Sequence, residues 1–244
     1  MLIVKFTIIY ILISSSIIYL STYLGYFDKP NKRGIHKIPT VNTGGLVIYL
    51  SFLSVISQGE FNYNIELIVS IGFFVCLTGF IDDRIYLNPS SKIILLIIPS
   101  IYLILNGISI SDLGKYEYLG ILELGKFKIP FLLLAIGLLI NATNYIDGID
   151  GLLLSFFLSC LIFYIFLIDD AKTINLLKFF VITSFLNLIL NLLPSKNKFK
   201  VFSGDSGSLF IGFFISFMTI ELYNNFDIHP AILIWPLWYP VYDF

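Results

Sequence analysis

Residues 130–168 read PFLLLAIGLLINATNYIDGIDGLLLSFFLSCLIFYIFLI and set the fold of the chain. Two apolar runs, at 130–145 and 151–168, meet at residues 141–151, which are rich in asparagine, aspartate and glycine. An α-helix needs about 20 apolar residues to cross a bilayer, and both runs approach this length. The stretch therefore predicts two membrane-spanning helices joined by a tight polar turn.

The composition extends this interpretation to the whole chain. Of the 244 residues, 57% are hydrophobic and 13% are charged, and the mean hydropathy is +0.91. A soluble domain has about one quarter charged residues, so much of this apolar surface requires lipid as its solvent. The net charge of −1 provides no basic domain of the kind that binds nucleic acid. Cys76 and Cys160 lie within apolar runs, so we expect buried thiols rather than a disulfide framework.

Apolar segments recur along the chain, and we predict an all-α, polytopic membrane protein that forms one domain over residues 1–244. Between the fourth and fifth spans, residues 107–129 alternate in character and contain glycines, which predicts a small external β-hairpin. The predicted spans, about nine, cover residues 2–26, 44–58, 65–81, 92–106, 130–145, 151–168, 173–193, 208–223 and 230–244.

The basic residues predict the orientation of these spans. Loops 27–43, 82–92, 145–150 and 194–207 fall on one side of the membrane and hold nine of the fifteen basic residues. Cytoplasmic loops are enriched in Lys and Arg, so we expect this side to be cytoplasmic and the N-terminus to be external. The nine residues are Lys29, Lys32, Arg33, Lys37, Arg84, Lys92, Lys196, Lys198 and Lys200.

Several aspartates share that predicted side, although they are far apart in the sequence. A carboxylate at the centre of a bilayer costs about 2.5–3.5 kcal/mol, so acids kept beside apolar spans indicate a function. We expect them to form one site that holds a metal ion against phosphate groups. These residues are Asp82, Asp83, Asp147, Asp150 and Asp205.

Polar side chains recur at every third position from Asn141 to Asp150. Neighbours three apart lie on adjacent helix faces, and Gly148 and Gly151 favour a break in the helix that lets these groups converge. Mg²⁺ prefers carboxylate oxygens and shares phosphate oxygens with a substrate. The alternative interpretation is that these residues only cap a helix junction.

Asp82 and Asp83 follow the third span, and Lys92 begins the fourth. Adjacent carboxylates in a poorly solvated pocket repel one another unless a cation neutralises them, which predicts a positive charge nearby. Two simpler interpretations stay open. One aspartate could cap the next helix, and Lys92 could extend its ammonium to the membrane surface instead of binding phosphate.

The first and last inner loops add further candidates. Residues 204–208, Gly-Asp-Ser-Gly-Ser, precede the eighth span, where a helix N-terminus favours a bound anion. Arg33 and His36 in the first loop are candidates for binding a nucleotide or a phosphate. Ordinary contact with anionic lipids is the alternative for these two residues.

In this order, the motifs resemble those of the polyprenyl-phosphate N-acetylhexosamine-1-phosphate transferases of bacterial membranes, within glycosyltransferase family 4. Thr40-Val-Asn-Thr43 departs from the commoner Pro-Arg-Gly-Gly ending of the first motif, so the sugar stays open. Within the family, the chain is most similar to the undecaprenyl-phosphate N-acetylglucosamine-1-phosphate transferases and their O-antigen relatives. The matching segments are Arg33-x-x-His36-x-x-Pro39 with Gly44-Gly45, Asp82-Asp83, Asn141-x-x-Asn144-x-x-Asp147-Gly-x-Asp150-Gly151 and Gly204-Asp205-x-Gly-Ser208.

The resemblance implies transfer of N-acetylhexosamine-1-phosphate from a UDP-sugar to undecaprenyl phosphate, with release of UMP, to start a cell-envelope polysaccharide. It implies a multi-pass protein of the bacterial inner membrane with a cytoplasmic active site, and it leaves a homodimer open. It also implies Mg²⁺, or alternatively Mn²⁺, bound by Asp205 and Asp150. The remaining roles that it implies are catalysis for Asp82, Asp83, Asp147 and Asp150, and substrate binding for Lys92, Asn144, Arg33 and His36.

Other assignments stay open at this stage. One is a phospho-N-acetylmuramoyl-pentapeptide transferase, and another is an ion-coupled transporter with a binding site at broken helices. The reaction itself is either direct attack by the lipid phosphate or a two-step route through an aspartyl-phosphate. Family members usually continue into an Arg- and His-rich inner loop at the point where this chain stops, so we expect a partial sequence.

Overall fold

A computed structural model describes residues 2–28, 38–56, 63–194 and 196–243. Within these ranges, eight main helices and two short ones follow one another, which confirms the predicted all-α class. The main helices are α1 (Leu2–Leu24), α2 (Gly44–Ile56), α3 (Tyr63–Ile85), α4 (Pro89–Leu105), α5 (Lys128–Ile146), α6 (Leu152–Leu167), α7 (Ala171–Asn191) and α8 (Gly204–Asn225); the short ones are α9 (Pro230–Ile234) and α10 (Trp238–Asp243).

Five of the described helices are long and apolar enough to cross a membrane. α2, α4 and α6 are also apolar but shorter, with 13, 17 and 16 residues. These lengths confirm the polytopic architecture that the composition predicts. The five segments are Val4–Leu24, Asn64–Ile85, Gly125–Ile146, Ala171–Asn191 and Gly204–Asn225.

The ninth predicted segment, 230–244, is helical only in short pieces over its described residues. A 3-10 turn at Trp235–Leu237 separates α9 from α10. Pro230, Pro236 and Pro240 recur through this segment, and proline lacks the N–H that an α-helix requires in its interior. The spacing of the prolines therefore explains why this apolar run does not form one continuous helix.

Two small antiparallel sheets accompany the helices. β1 (Phe27–Asp28) pairs with β2 (Thr40–Val41) at the described ends of the loop at 27–43. β3 (Asp112–Tyr116) pairs with β4 (Gly120–Glu123) between α4 and α5, which confirms the predicted hairpin. Tyr223, near the C-terminal end of α8, donates a hydrogen bond to Asp112. The hairpin therefore lies at the end of α8 that is opposite its N-terminus.

α8 is the central helix of the bundle. It is buried over most of its length, and α2, α3 and α5 pack against it. A Cβ atom on Gly45 would lie 2.1 Å from Gly207 N, and one on Gly79 would lie 2.3 Å from Asp205 O. Close backbone approach of this kind stabilises the association of membrane helices. These two contacts fix the first turn of α8 against α2 and α3.

Candidate active site

Lys92 lies at the centre of a polar cluster formed by the ends of α3, α4, α5 and α8. Its Nζ is 2.7 Å from Asp82 Oδ2 and 2.8 Å from Asp205 Oδ2. It also donates a hydrogen bond to Asn144 Oδ1 at 3.4 Å. Only 14% of the lysine side chain is exposed, so the ammonium points into the bundle. This placement contradicts the alternative in which Lys92 extends to the membrane surface.

Asp82 and Asp83 occupy the last turn of α3 rather than a loop. Asp82 Oδ1 accepts a hydrogen bond from Leu87 N at 2.7 Å, while its other oxygen pairs with the central lysine. The N-cap of α4 is Asn88, so neither aspartate caps that helix. Asp82 therefore stabilises the α3–α4 turn and holds the lysine at the same time.

Asn144 joins α5 to the start of α8. Its Nδ2 donates hydrogen bonds to Asp205 Oδ1 and to Ser208 Oγ, both at 2.8 Å. Asn141 instead donates to Gly137 O of its own helix at 2.7 Å. Of the two asparagines in the predicted polar series, only Asn144 therefore reaches the cluster through its described hydrogen bonds.

Asp83 faces the N-terminus of α8. Its Oδ1 accepts hydrogen bonds from Asn42 Nδ2 at 2.9 Å and from Asp205 N at 3.1 Å. Its Oδ2 accepts one from Ser206 N at 3.4 Å. Gly204 has a φ of +69°, and a Cβ atom there would lie 2.8 Å from Asp83 Oδ2, so glycine permits this close approach. Asp83 thus binds the main chain of α8, whereas its neighbour binds the lysine.

The turn between α5 and α6 carries Asp147 and Asp150. α5 ends at Ile146, and Gly151, with a φ of +79°, precedes α6, so the predicted break in the helix is confirmed. Lys200 Nζ lies 2.5 Å from Asp150 Oδ2. This ion pair connects the turn to the segment that leads into α8.

Asp147 lies within the electrostatic field of the other acids. The pKa of its partly buried carboxyl is well above the ordinary value, first because the group has lost contact with water. The negative charges of Asp205, Asp83 and Asp150 raise this pKa further. Like charges favour the protonated form, so a cation in this region would favour ionisation of Asp147.

The charges of the cluster fit a divalent cation that binds together with phosphate. Three of the five aspartates, Asp82, Asp205 and Asp150, form ion pairs with Lys92 or Lys200. In the part of the chain that the structure describes, no three Asp, Glu, His or Cys side chains form a metal site by themselves. Mg²⁺ commonly uses one or two carboxylates and completes its coordination with water and substrate phosphates. Carboxylates are the ligand type that Mg²⁺ prefers, and Asp205 and Asp150 stay the predicted ligands.

Sequence reasoning missed the roles of Asn42, Lys200 and Asn191. Lys200 counts among the basic residues of the inner loops, yet its side chain is only 4% exposed. Asn191 Oδ1 accepts a hydrogen bond from Gly151 N at 2.6 Å and so supports the α5–α6 turn. Its position inside an apolar span was the available sequence signal, because a polar side chain there requires a partner. Asn42 had a weaker signal, namely its place two residues before the pair Gly44-Gly45.

Only the two ends of the loop at 27–43 belong to the described residues. Arg33 and His36 lie outside the described residues, so their contacts stay predictions. The described end of the loop pairs with the segment before α8. Phe202 N donates to Val41 O at 2.9 Å, and Gly44 N donates to Phe202 O at 2.9 Å. This pairing places Asn42 beside the N-terminus of α8.

Comparison with known proteins matches most of the chain to one family. The sequence model described as "Glycosyl transferase family 4" matches residues 65–223. This range includes nearly all of α3, continues through α8 to Tyr223, and contains every residue of the cluster except Asn42.

Curated relatives extend the similarity beyond that range. The undecaprenyl-phosphate alpha-N-acetylglucosaminyl 1-phosphate transferase of Escherichia coli (strain K12) is 30% identical over 233 residues. A protein of Bacillus subtilis (strain 168), named "Probable undecaprenyl-phosphate N-acetylglucosaminyl 1-phosphate transferase", is 28% identical over 227 residues. Each similarity covers 90% of this chain, but the chain spans only 62% of the length of each relative.

Proposed function

Because the chain belongs to glycosyl transferase family 4, we propose that the protein transfers N-acetylhexosamine-1-phosphate from a UDP-sugar to undecaprenyl phosphate, releasing UMP. The observation that carries this proposal is the position of Lys92 between Asp82 and Asp205, with Asn144 beside it. This arrangement gathers a cation, an amide and surplus carboxylates at one end of a membrane helix bundle. Two phosphate-bearing substrates, one of them a lipid, require such groups near the membrane surface.

The surface next to Lys92 is suited to a lipid acceptor. Ile93, Ile94 and Ile97 on α4 are 49%, 60% and 38% exposed. An apolar surface of this kind on a membrane helix faces lipid. The polyprenyl chain would therefore stay in the bilayer along α4 while its phosphate reaches Lys92.

In the proposed reaction, an oxygen of the lipid phosphate attacks the β-phosphorus of the UDP-sugar. A new P–O bond forms, and the bond from the β-phosphorus to the bridging oxygen breaks. UMP leaves with that oxygen and its electron pair. A phosphate monoester has a second pKa of about 6, so at pH 7 the attacking phosphate is mostly dianionic and needs no base. We therefore propose that the main role of Asp82 is to position Lys92, rather than to remove a proton.

Lys92 would bind oxygens of the diphosphate, and Asn144, whose amide N–H groups bind Asp205 and Ser208, would orient the metal ligand Asp205. A fixed ammonium stabilises the negative charge that develops on a leaving phosphate. Asp205 and Asp150, with Asp147 nearby, would hold Mg²⁺ or Mn²⁺. When bound, such an ion neutralises charge on the diphosphate. Lys92 would thus bind phosphate directly, while the aspartates would bind the metal ion that neutralises the phosphate charge.

The proposed location is the bacterial inner membrane, with the active site on the cytoplasmic side. The excess of basic residues in the loops beside the cluster supports this orientation. The names of the relatives support N-acetylglucosamine as the first sugar to test. The product would start a cell-envelope polysaccharide such as an O-antigen.

The test measures UMP release by membranes that contain the full-length gene product. We expect release from UDP-N-acetylhexosamine that depends on both Mg²⁺ and added undecaprenyl phosphate, and a Lys92→Met variant should abolish it. Well-folded protein that releases no UMP with any UDP-N-acetylhexosamine would reject the proposal. Release with UDP-N-acetylmuramoyl-pentapeptide alone would assign the peptidoglycan reaction instead. A burst of UMP without lipid would support an aspartyl-phosphate intermediate.

A further inference from the structure

The two adjacent aspartates at the end of α3 have different partners. Asp82 pairs with Lys92 and therefore lies among the charged groups of the cluster. The described hydrogen bonds of Asp83 come from the backbone of Asp205 and Ser206 and from Asn42. The family resemblance implies a catalytic role for both acids, but their surroundings differ.

The backbone N–H groups that Asp83 accepts belong to the first turn of α8. N–H groups in a first turn have no carbonyl partner within their own helix, and a carboxylate at this end of a helix is electrostatically favourable. Asp205 thus binds Asp83 through its main chain and binds Lys92 and Asn144 through its side chain. A displacement of this first turn would move the Asp205 carboxylate away from both side-chain partners.

Asn42 and Gly204 complete the same arrangement. Asn42 Nδ2 donates to Asp83, while Asn42 Oδ1 is buried and has no hydrogen-bond partner among the described residues. The opposite amide orientation would place Oδ1 against a carboxylate oxygen, so Asp83 determines how the amide points. A Cβ atom on Gly204 would lie 2.4 Å from Asn42 Oδ1. The three residues therefore fit closely around the start of α8.

We infer that Asp83 is a positioning residue, which holds Asp205 at the start of α8 and does not contact the substrate phosphates. This inference rests on the proposed function for its catalytic consequence, but its structural part is independent of that function. The two adjacent aspartates then have different roles: Asp82 positions Lys92, and Asp83 positions the first turn of α8.

The first test compares Asp83→Asn with Asp83→Ala in the full-length gene product. Asparagine keeps the oxygen that accepts from Asp205 N but replaces the one that accepts from Ser206 N by an NH2 group, whereas alanine removes every acceptor. We expect Asp83→Ala to lower kcat by about 100-fold, because small misplacements of catalytic groups have effects of this size. Asp83→Asn should recover to within about tenfold of the unchanged protein, which corresponds to the loss of about one hydrogen bond. The KM for the UDP-sugar should change little in either variant.

The second test needs no activity and uses hydrogen exchange of the backbone amides in detergent or nanodiscs. In a peptide that begins before Ser203, Asp83→Ala should accelerate exchange at the Asp205 and Ser206 amides by about tenfold or more. Asp82→Ala, which removes the neighbouring acid, should leave these amides protected. If Asp83→Ala does not fold, Asn42→Ala removes one support of Asp83 and should accelerate the same amides to a smaller extent.

Two results would overturn the inference. One is unchanged exchange at these amides in folded Asp83→Ala. The other is an Asp83→Asn variant that keeps the Asp205 amide protected yet is as inactive as Asp83→Ala, since the carboxylate would then act on the substrate. If the unchanged protein released no UMP, the proposed function would fail, while the exchange measurement would still decide the structural part.

Discussion

Lys200 Nζ lies 2.5 Å from Asp150 Oδ2 and also donates a hydrogen bond to Leu193 O at 3.1 Å. The lysine side chain is 4% exposed, and the aspartate side chain is 49% exposed. The charge of the buried lysine is therefore stabilised by the ion pair, whereas the charge of the half-exposed aspartate is also stabilised by water. Loss of Asp150 would leave a buried positive charge without a counter-charge, whereas loss of Lys200 would leave a half-exposed carboxylate in contact with water.

We expect Asp150→Ala to destabilise the protein more than Lys200→Met. The first change leaves a buried ammonium without a counter-charge, which costs about 3 kcal/mol. The second leaves a half-exposed carboxylate in water and costs about 1 kcal/mol. Denaturant titration of the detergent-solubilised protein measures both free energies of unfolding. The double variant should resemble Lys200→Met, and a larger loss for Lys200→Met than for Asp150→Ala would contradict this explanation.

A second prediction concerns Gly204. Its φ of +69° is unfavourable for other residues, and a Cβ atom would lie 2.4 Å from Asn42 Oδ1 and 2.8 Å from Asp83 Oδ2. We expect Gly204→Ala to lower the free energy of unfolding by about 1–3 kcal/mol and to reduce UMP release strongly. Both quantities can be measured on the same preparation.

The matched control for this change is Gly137→Ala. Gly137 lies inside α5, and a Cβ atom there would meet no atom within 4 Å. Alanine at a helical position with free space is expected to stabilise by up to about 1 kcal/mol. Equal destabilisation by the two substitutions would show that the close approach at Gly204 is not the cause.

The sequence predicts the helices well because the thickness of the bilayer determines the length of an apolar run. The span predicted at 173–193, for example, corresponds to α7 at Ala171–Asn191. Counting such spans also places the aspartates on one face, and the structure brings Asp82 and Asp205 onto the same lysine.

The individual partners were not predictable from local patterns. Lys200 and Asp150 are 50 positions apart, and Asn42 and Asp83 are 41 apart. Which side chains meet depends on how the helices pack, and this depends on contacts such as that of Gly45 with α8. A positive residue in a loop between spans has the same sequence signal whether it faces solvent or is buried, so the role of Lys200 required the structure.

A third prediction concerns the start of α7. Asp170 Oδ2 accepts hydrogen bonds from Thr173 N and Thr173 Oγ1, each at 2.7 Å. The bond from the backbone N–H is the main reason that the pKa of Asp170 is below its ordinary value. Asp170→Ala should lower the free energy of unfolding by about 0.5–2 kcal/mol at pH 7. Asp169→Ala, at the exposed neighbouring position, is the control and should have little effect.

The pH dependence of this cap follows from the direction of the shift. Because the pKa is lower in the folded state, the stabilisation is complete above the ordinary value of about 3.9. It is lost as the pH falls through the folded-state pKa. The difference in stability between the unchanged protein and Asp170→Ala should therefore narrow in acid. A difference that stays constant to low pH would show that the ionised carboxylate is not responsible for the effect.

The last prediction separates two roles of Asp82 through the pH profile of UMP release. The lipid phosphate has a second pKa of about 6. At lower pH the dianion is lost, so the rate of the proposed reaction should decrease there. Asp82→Asn should lower the rate at every pH, because Asp82 holds Lys92 at 2.7 Å. The pH at which the rate falls should nevertheless stay the same, since the titrating group belongs to the substrate. If Asp82 were instead the general base, its replacement would remove the acidic limb of the profile.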